Sequence, residues 1–169
     1  TFTPSGSSLA SAVANWPVIA YNDTSAAAGS RGARLAYYIG SAGSGCSASL
    51  WNCISIYNYA SGSGDTAPSV AFDSMGVPRL ALDDPVTGKI QIARYLPGGA
   101  GSSCGTTIDA LGSAQRLFAC SAVSTNSKVF TAGTAAFDQT GALWATAYNS
   151  TDGRLVVFKA HSTQTRPLT

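Results

Sequence analysis

The side chains best suited to chemistry are few: one histidine, eight aspartates, no glutamate and four cysteines. A Ser-His-Asp or Cys-His mechanism would have to run through His161. That residue follows the last apolar stretch, in a polar tail, where an exposed terminal histidine is the plainer reading. Without glutamate, a glycosidase would need two aspartates, or an aspartate beside a tyrosine nucleophile. Asp73 and Asp138 are the obvious pair, yet each sits in the same local phrase, Asp-x-x-Gly, sixty-five residues apart. A turn residue has reason to recur once per unit and a catalytic one does not. Asp83-Asp84, the sole acidic pair, could give oxygens to a calcium ion, but Pro85 and Thr87 add little to the six or more ligands calcium requires. A turn again explains it. No catalytic residue, metal or cofactor is therefore assigned, and the chain is expected not to be an enzyme.

Cys46, Cys53, Cys104 and Cys120 allow three pairings. Neither close pair is Cys-x-x-Cys and only His161 could assist, so a zinc site is the weaker alternative. The favoured pairing is Cys46–Cys53 with Cys104–Cys120, each closing a loop between the third and fourth strands of a repeat. Such bridges imply an oxidising, extracytoplasmic setting, secreted or at the cell surface. Asn22-Asp23-Thr24 and Asn149-Ser150-Thr151 are acceptor sequons, relevant only in a eukaryotic secretory host. Both also fit an asparagine that ends a strand.

Aromatic residues near strand ends are the remaining candidates. Ring faces beside Asn, Asp or Arg suit sugars, which offer flat C–H patches and hydroxyls. Tyr21, Tyr38, Trp51, Trp144 and Tyr148 are taken as the ligand-binding set, and packing between sheets is the competing role for these rings.

The elements that must position these residues come from an internal repeat. Val70-Ala71-Phe72-Asp73-Ser74-Met75-Gly76 returns as Ala135-Ala136-Phe137-Asp138-Gln139-Thr140-Gly141. Each copy is followed by an apolar stretch, a turn, and Gly-Lys-Ile (88 to 90) or Gly-Arg-Leu (153 to 155). In the second unit the strands run from Val70 to Asp73, Arg79 to Asp83, Ile90 to Tyr95 and Gln115 to Val123. The third matches through Ala135–Asp138, Leu143–Asn149 and Leu155–Ala160. In the first, Ser8 to Ala14 is expected as the opening strand, followed by Pro17 to Asn22, Arg34 to Tyr38 and Trp51 to Tyr57. The units fall at about 7–60, 66–124 and 129–161, with 162–169 a polar tail or closing strand.

Composition agrees. Glycine numbers eighteen and methionine one, and charged residues are only 11%, which removes strong helix formers and leaves the residues of tight turns. A net charge of +2 is too small and scattered for a nucleic-acid surface. No apolar run reaches the length of a membrane span. Thr1-Phe2-Thr3-Pro4-Ser5 is unlike a signal peptide, so a mature or excised segment is expected.

The pattern of apolar-Ala-Phe-Asp-x-x-Gly, short strand, Asp/Asn turn and Gly-Lys/Arg-apolar strand resembles the blade repeats of secreted bacterial β-propeller proteins. The resemblance implies an all-β fold of about three four-stranded antiparallel blades and implies no activity. Propellers usually close with four to eight blades. Three would form a partial propeller, completed by the rest of a longer chain or by homo-oligomerisation. The expected function is a non-catalytic secreted or cell-surface binding module, an adhesin or glycan-binding propeller whose partner is a glycan or another cell-surface component. A structural subunit of an extracellular fibre or filament is the alternative, and a propeller-type hydrolase ranks last.

Overall fold

The computed structural model describes residues 3–5, 8–10, 17–23, 31–44, 46, 50–59, 68–74, 76–84, 87–96, 118–123 and 130–160. Among the described residues there are twelve strands and no helix. A small hairpin pairs β1 (Thr3–Ser5) with β2 (Ser8–Ala10). Three antiparallel sheets follow in chain order. The first contains β3 (Val18–Asp23), β4 (Arg31–Tyr38) and β5 (Trp51–Tyr59). The middle contains β6 (Ser69–Phe72), β7 (Pro78–Asp84), β8 (Lys89–Tyr95) and β9 (Phe118–Ala122). The last contains β10 (Phe130–Phe137), β11 (Leu143–Asn149) and β12 (Arg154–Ala160).

Alternation along β7 shows how the sheets stack, because successive side chains of a strand point to opposite faces. Leu80 and Leu82 join Ala93, Tyr95 and Phe118 against Leu35, Tyr37 and Ile56 of the first sheet. Ala81, between the two leucines, joins Ile92 against Leu143 and Ala145 of the last sheet. Ile90 meets Ala147 on that same side. The middle sheet is thus covered on both faces, which is why β7 reads apolar at consecutive positions where a half-exposed strand would alternate. No core cluster among the described residues joins the first sheet to the last, so each of these packs on the middle sheet alone.

The repeat is visible atom by atom in its turns. Asp73 Oδ1 accepts from the Val77 amide at 2.9 Å, and Gly76 N donates to the Asp73 carbonyl at 2.9 Å. Asp138 Oδ1 accepts from the Ala142 amide at 2.9 Å, and Gly141 N donates to the Asp138 carbonyl at 3.0 Å. Gly76 (φ 75°) and Gly141 (φ 79°) occupy the left-handed region that the turn demands. The next turns match as well: Gly88 N donates to the Asp84 carbonyl and Gly153 N to that of Asn149.

Two expectations about strands are corrected. The stretch expected from Ser8 to Ala14 as the opening strand is corrected in its described part: among the described residues Ser8–Ala10 pairs with β1 and not with β3, and 11–14 lie outside the described residues. Its sequence lacks the Asp-x-x-Gly turn that hands β6 to β7. The fourth strand of the middle unit is Phe118–Ala122, shorter than Gln115 to Val123, and Gln115 lies outside the described residues. The last sheet holds three described strands, and His161 and 162–169 lie outside the described residues.

The Cys46–Cys53 disulfide is present and staples the loop entering β5 across a separation of seven residues. Cys120, on β9, is disulfide-bonded, and its expected partner Cys104 lies outside the described residues. Replacing Cys46 and Cys53 together with serine is expected to lower the unfolding free energy by about 2–3 kcal/mol, measured by urea denaturation without reductant.

Candidate functional site

The five aromatic candidates fall on the two outward faces of the stack. In the first sheet, Leu35 and Tyr37 face the middle sheet, so Tyr38 points outward, beside its cross-strand partner Trp51. The two rings meet edge to face with centroids 5.4 Å apart. Tyr21 shares that face and donates its hydroxyl to Cys53 Sγ at 3.3 Å. All three rings are half-buried, while Ile19 beside them is 49% exposed. The centre of the face is polar: Arg34 Nε donates to Asp23 Oδ2 at 2.7 Å, with the arginine side chain only 6% exposed.

The other end carries Trp144 and Tyr148. Leu143, Ala145 and Ala147 of β11 turn inward, so Trp144, Thr146 and Tyr148 line the outer face. Trp144 is held in place: its Nε1 donates to Asp138 Oδ2 at 2.7 Å, and Lys159 Nζ lies 5.0 Å from its ring centroid. Asp138 also accepts from the Thr140 hydroxyl at 2.6 Å and the Thr140 amide at 2.8 Å. The Thr140 hydroxyl first, then Trp144 and the backbone amides, holds the Asp138 carboxyl well below the usual carboxylate range. Oδ1 of this carboxylate serves the turn and Oδ2 holds Trp144. Tyr148 is 46% exposed, and Leu155 and Val157 on the neighbouring β12 are 72% and 56% exposed.

Comparison of the chain with protein-family models, curated proteins and solved structures finds no match.

The other polar candidates are engaged within the fold. Asp84 is 3% exposed and links two sheets, accepting from the Tyr57 hydroxyl of β5 at 3.0 Å and from the Thr87 hydroxyl at 2.6 Å. Asn149 is 3% exposed, accepts from the Thr151 amide and donates to Asp152, so its side chain is a turn brace. Among the described residues no group of three or more His, Cys, Asp or Glu gathers as a metal site.

Two features were missed at the sequence level. Leu155 and Val157 stand sixty-five residues after Ile90 and Ile92, so the repeat itself could have marked them as positions the middle sheet buries. The second is the pairing of Arg79 with Arg94 across β7 and β8. It follows from the hairpin register around the 85–88 turn, which can be counted from the sequence.

The interface between the first two sheets also carries a pH dependence. Burial, then the Asp84 charge and its hydrogen bond, push the Tyr57 phenol up to about 12. Burial likewise pushes Tyr37 up to about 12, against the opposing effect of the hydrogen bond from Asn52. An unfolded tyrosine ionises near 10, so between about 10 and 12 the unfolded chain holds fewer protons than the folded one. Stability is complete below pH 10 and is lost as pH rises toward 12. Urea midpoints taken at pH 9, 10 and 11 should fall progressively, and Tyr57→Phe should start lower and fall less steeply.

Proposed function

We propose that the chain is a non-catalytic binding module acting outside the cytoplasm, with the outward sheet faces as its contact surfaces. One observation carries this reading: the aromatic candidates sit on the two outward sheet faces, with Trp144 and Tyr148 exposed, while the described aspartates are engaged in turns, an ion pair and sheet contacts. The disulfide supports an oxidising compartment, and no described helix is long and apolar enough to cross a membrane. The ligand class that suits a flat face of Trp144, Thr146 and Tyr148 with Lys159 at its edge is a glycan or another cell-surface component. A glycan array probed with the whole chain is the test. Selective binding that Trp144→Ala and Tyr148→Ala each weaken at least about tenfold supports the proposal. Equal binding by both variants, or silence across the array, removes the glycan ligand.

A second reading, a self-assembling structural subunit, is favoured by a separate observation. In the middle sheet Ile90 and Ile92 are 0% and 3% exposed against the last sheet, whereas their repeat equivalents Leu155 and Val157 are open. The Tyr38–Trp51 pair at the opposite end likewise has a buried counterpart, Tyr95–Phe118, whose rings meet at 5.6 Å and 77°. Under this reading the three sheets are blades of a propeller completed by a neighbouring copy, the outer face of the last sheet packing on that of the first. Such head-to-tail contacts close into rings or continue as filaments. Light scattering decides: a multiple of the monomer mass that Val157→Arg and Ile19→Arg each abolish, and that their mixture partly restores, supports it.

A further inference from the structure

Arg79 and Arg94 face each other directly across β7 and β8. Like charges in that position repel. Both lie half-buried on the face that carries Ala81 and Ile92, the side of the middle sheet that meets the last sheet. There they line a cavity of about 210 Å³ with Ser121, Ile92, Ala119 and Ala160. None of the described lining residues is acidic. The Arg79 guanidinium also lies over the Phe137 ring of the last sheet, 5.9 Å from its centroid. Its Nε is buried with no hydrogen-bond partner, the sole such side-chain atom among the described residues. A buried donor left in that state calls for an acceptor. Burial foremost pulls Arg79 below its ordinary pKa; Asp73 acts in the opposite direction and Arg94 adds to the lowering. Asp73 is already committed at Oδ1 to the Val77 amide.

We propose that this cavity between the middle and last sheets binds a small oxyanion, a carboxylate, sulfate or phosphate group, held by the Arg79 and Arg94 guanidiniums with the Ser121 hydroxyl at its rim. Paired guanidiniums present parallel N–H donors that match such groups. The volume equals that of roughly seven liquid water molecules. It admits the oxyanion with the few atoms that carry it, and is smaller than the pockets that take drug-sized ligands. The anion would neutralise the facing charges and satisfy Arg79 Nε.

Calorimetric titration of the whole chain with glucuronate, sulfate and phosphate, at ionic strength held constant with sodium chloride, tests the site and separates the three sources. Saturable binding of at least one anion is expected, weakened at least about tenfold by Arg94→Gln. Arg79→Gln should act likewise. Without added anion, Arg94→Gln should melt at the same temperature as the parent chain or higher, because it removes a facing like charge. A lower melting point for that variant would make the guanidinium a structural element and overturn the proposal. So would the absence of saturable binding to all three anions, or equal binding by parent and Arg94→Gln.

Discussion

Leu80→Ala should remove about 3 kcal/mol of unfolding free energy, read from the shift in urea midpoint at unchanged slope. Leu80 has no exposed surface and stands in the cluster that joins the first and middle sheets, with Leu35, Tyr37, Ile56, Tyr95 and Phe118. Truncation removes the transfer free energy of three carbons and leaves a void. That void is framed by strands hydrogen-bonded on both sides, because β7 lies between β6 and β8. Collapse into it is therefore limited, and the cost lies in the middle of the range for such changes. Leu155→Ala is the control. The same side chain is removed from a position 72% exposed, and the unfolding free energy should change by less than about 0.5 kcal/mol. Equal losses at both positions would contradict the stacking described above.

Asp23→Ala should have a comparable effect, about 3 kcal/mol, for an electrostatic reason. The Arg34 side chain is 6% exposed and its Nε donates to Asp23 Oδ2 at 2.7 Å, with Nη1 reaching Ser55 Oγ at 3.3 Å. Taking away the carboxylate leaves the guanidinium desolvated without its counter-charge, and that penalty exceeds the worth of the pair itself. Asp23 is 21% exposed, which places the cost at the lower end of the range for buried pairs. Pairing Asp23→Ala with Arg34→Met should recover most of the loss. A double variant no more stable than Asp23→Ala alone would show that the pair acts through packing instead of charge.

The fold was legible wherever the repeat carried its own punctuation. The Asp-x-x-Gly turns at 73–76 and 138–141, and the Gly88 and Gly153 turns, set the ends of β6, β7, β10, β11 and β12, since each is a local hydrogen-bonding unit whose geometry depends on nearby residues alone. The first unit lacks that turn, and there the reading failed: Ser8–Ala10 went to a separate hairpin. The loop that carries Cys46 was harder to read for a similar reason: glycine and serine permit many paths, so the sequence could name the Cys46–Cys53 cross-link and not the course of the loop.

The candidate site was legible in part. Period-two alternation could place Trp144 and Tyr148 on one side of β11, but which side meets another sheet is a tertiary fact. The aromatic pairs illustrate the limit. Tyr38–Trp51 and Tyr95–Phe118 have nearly the same geometry, yet the second pair is buried between sheets and the first is half-buried on an outward face. The difference lies in what stands next in the stack, and no property of the four rings encodes it. Arg79 and Arg94 escaped notice because fifteen residues separate them in sequence and only the hairpin register brings them together.

The two-sided packing of β7 has a consequence for how such a chain can change over generations. Leu80 and Leu82 answer to one neighbour and Ala81 to the other. Adjacent codons therefore serve separate interfaces, and a substitution tolerated by one flank is invisible to the opposite flank. Each terminal sheet can drift toward a new surface while the central one stays fixed, and duplication of a unit inserts a ready-made neighbour without redesign of those already present.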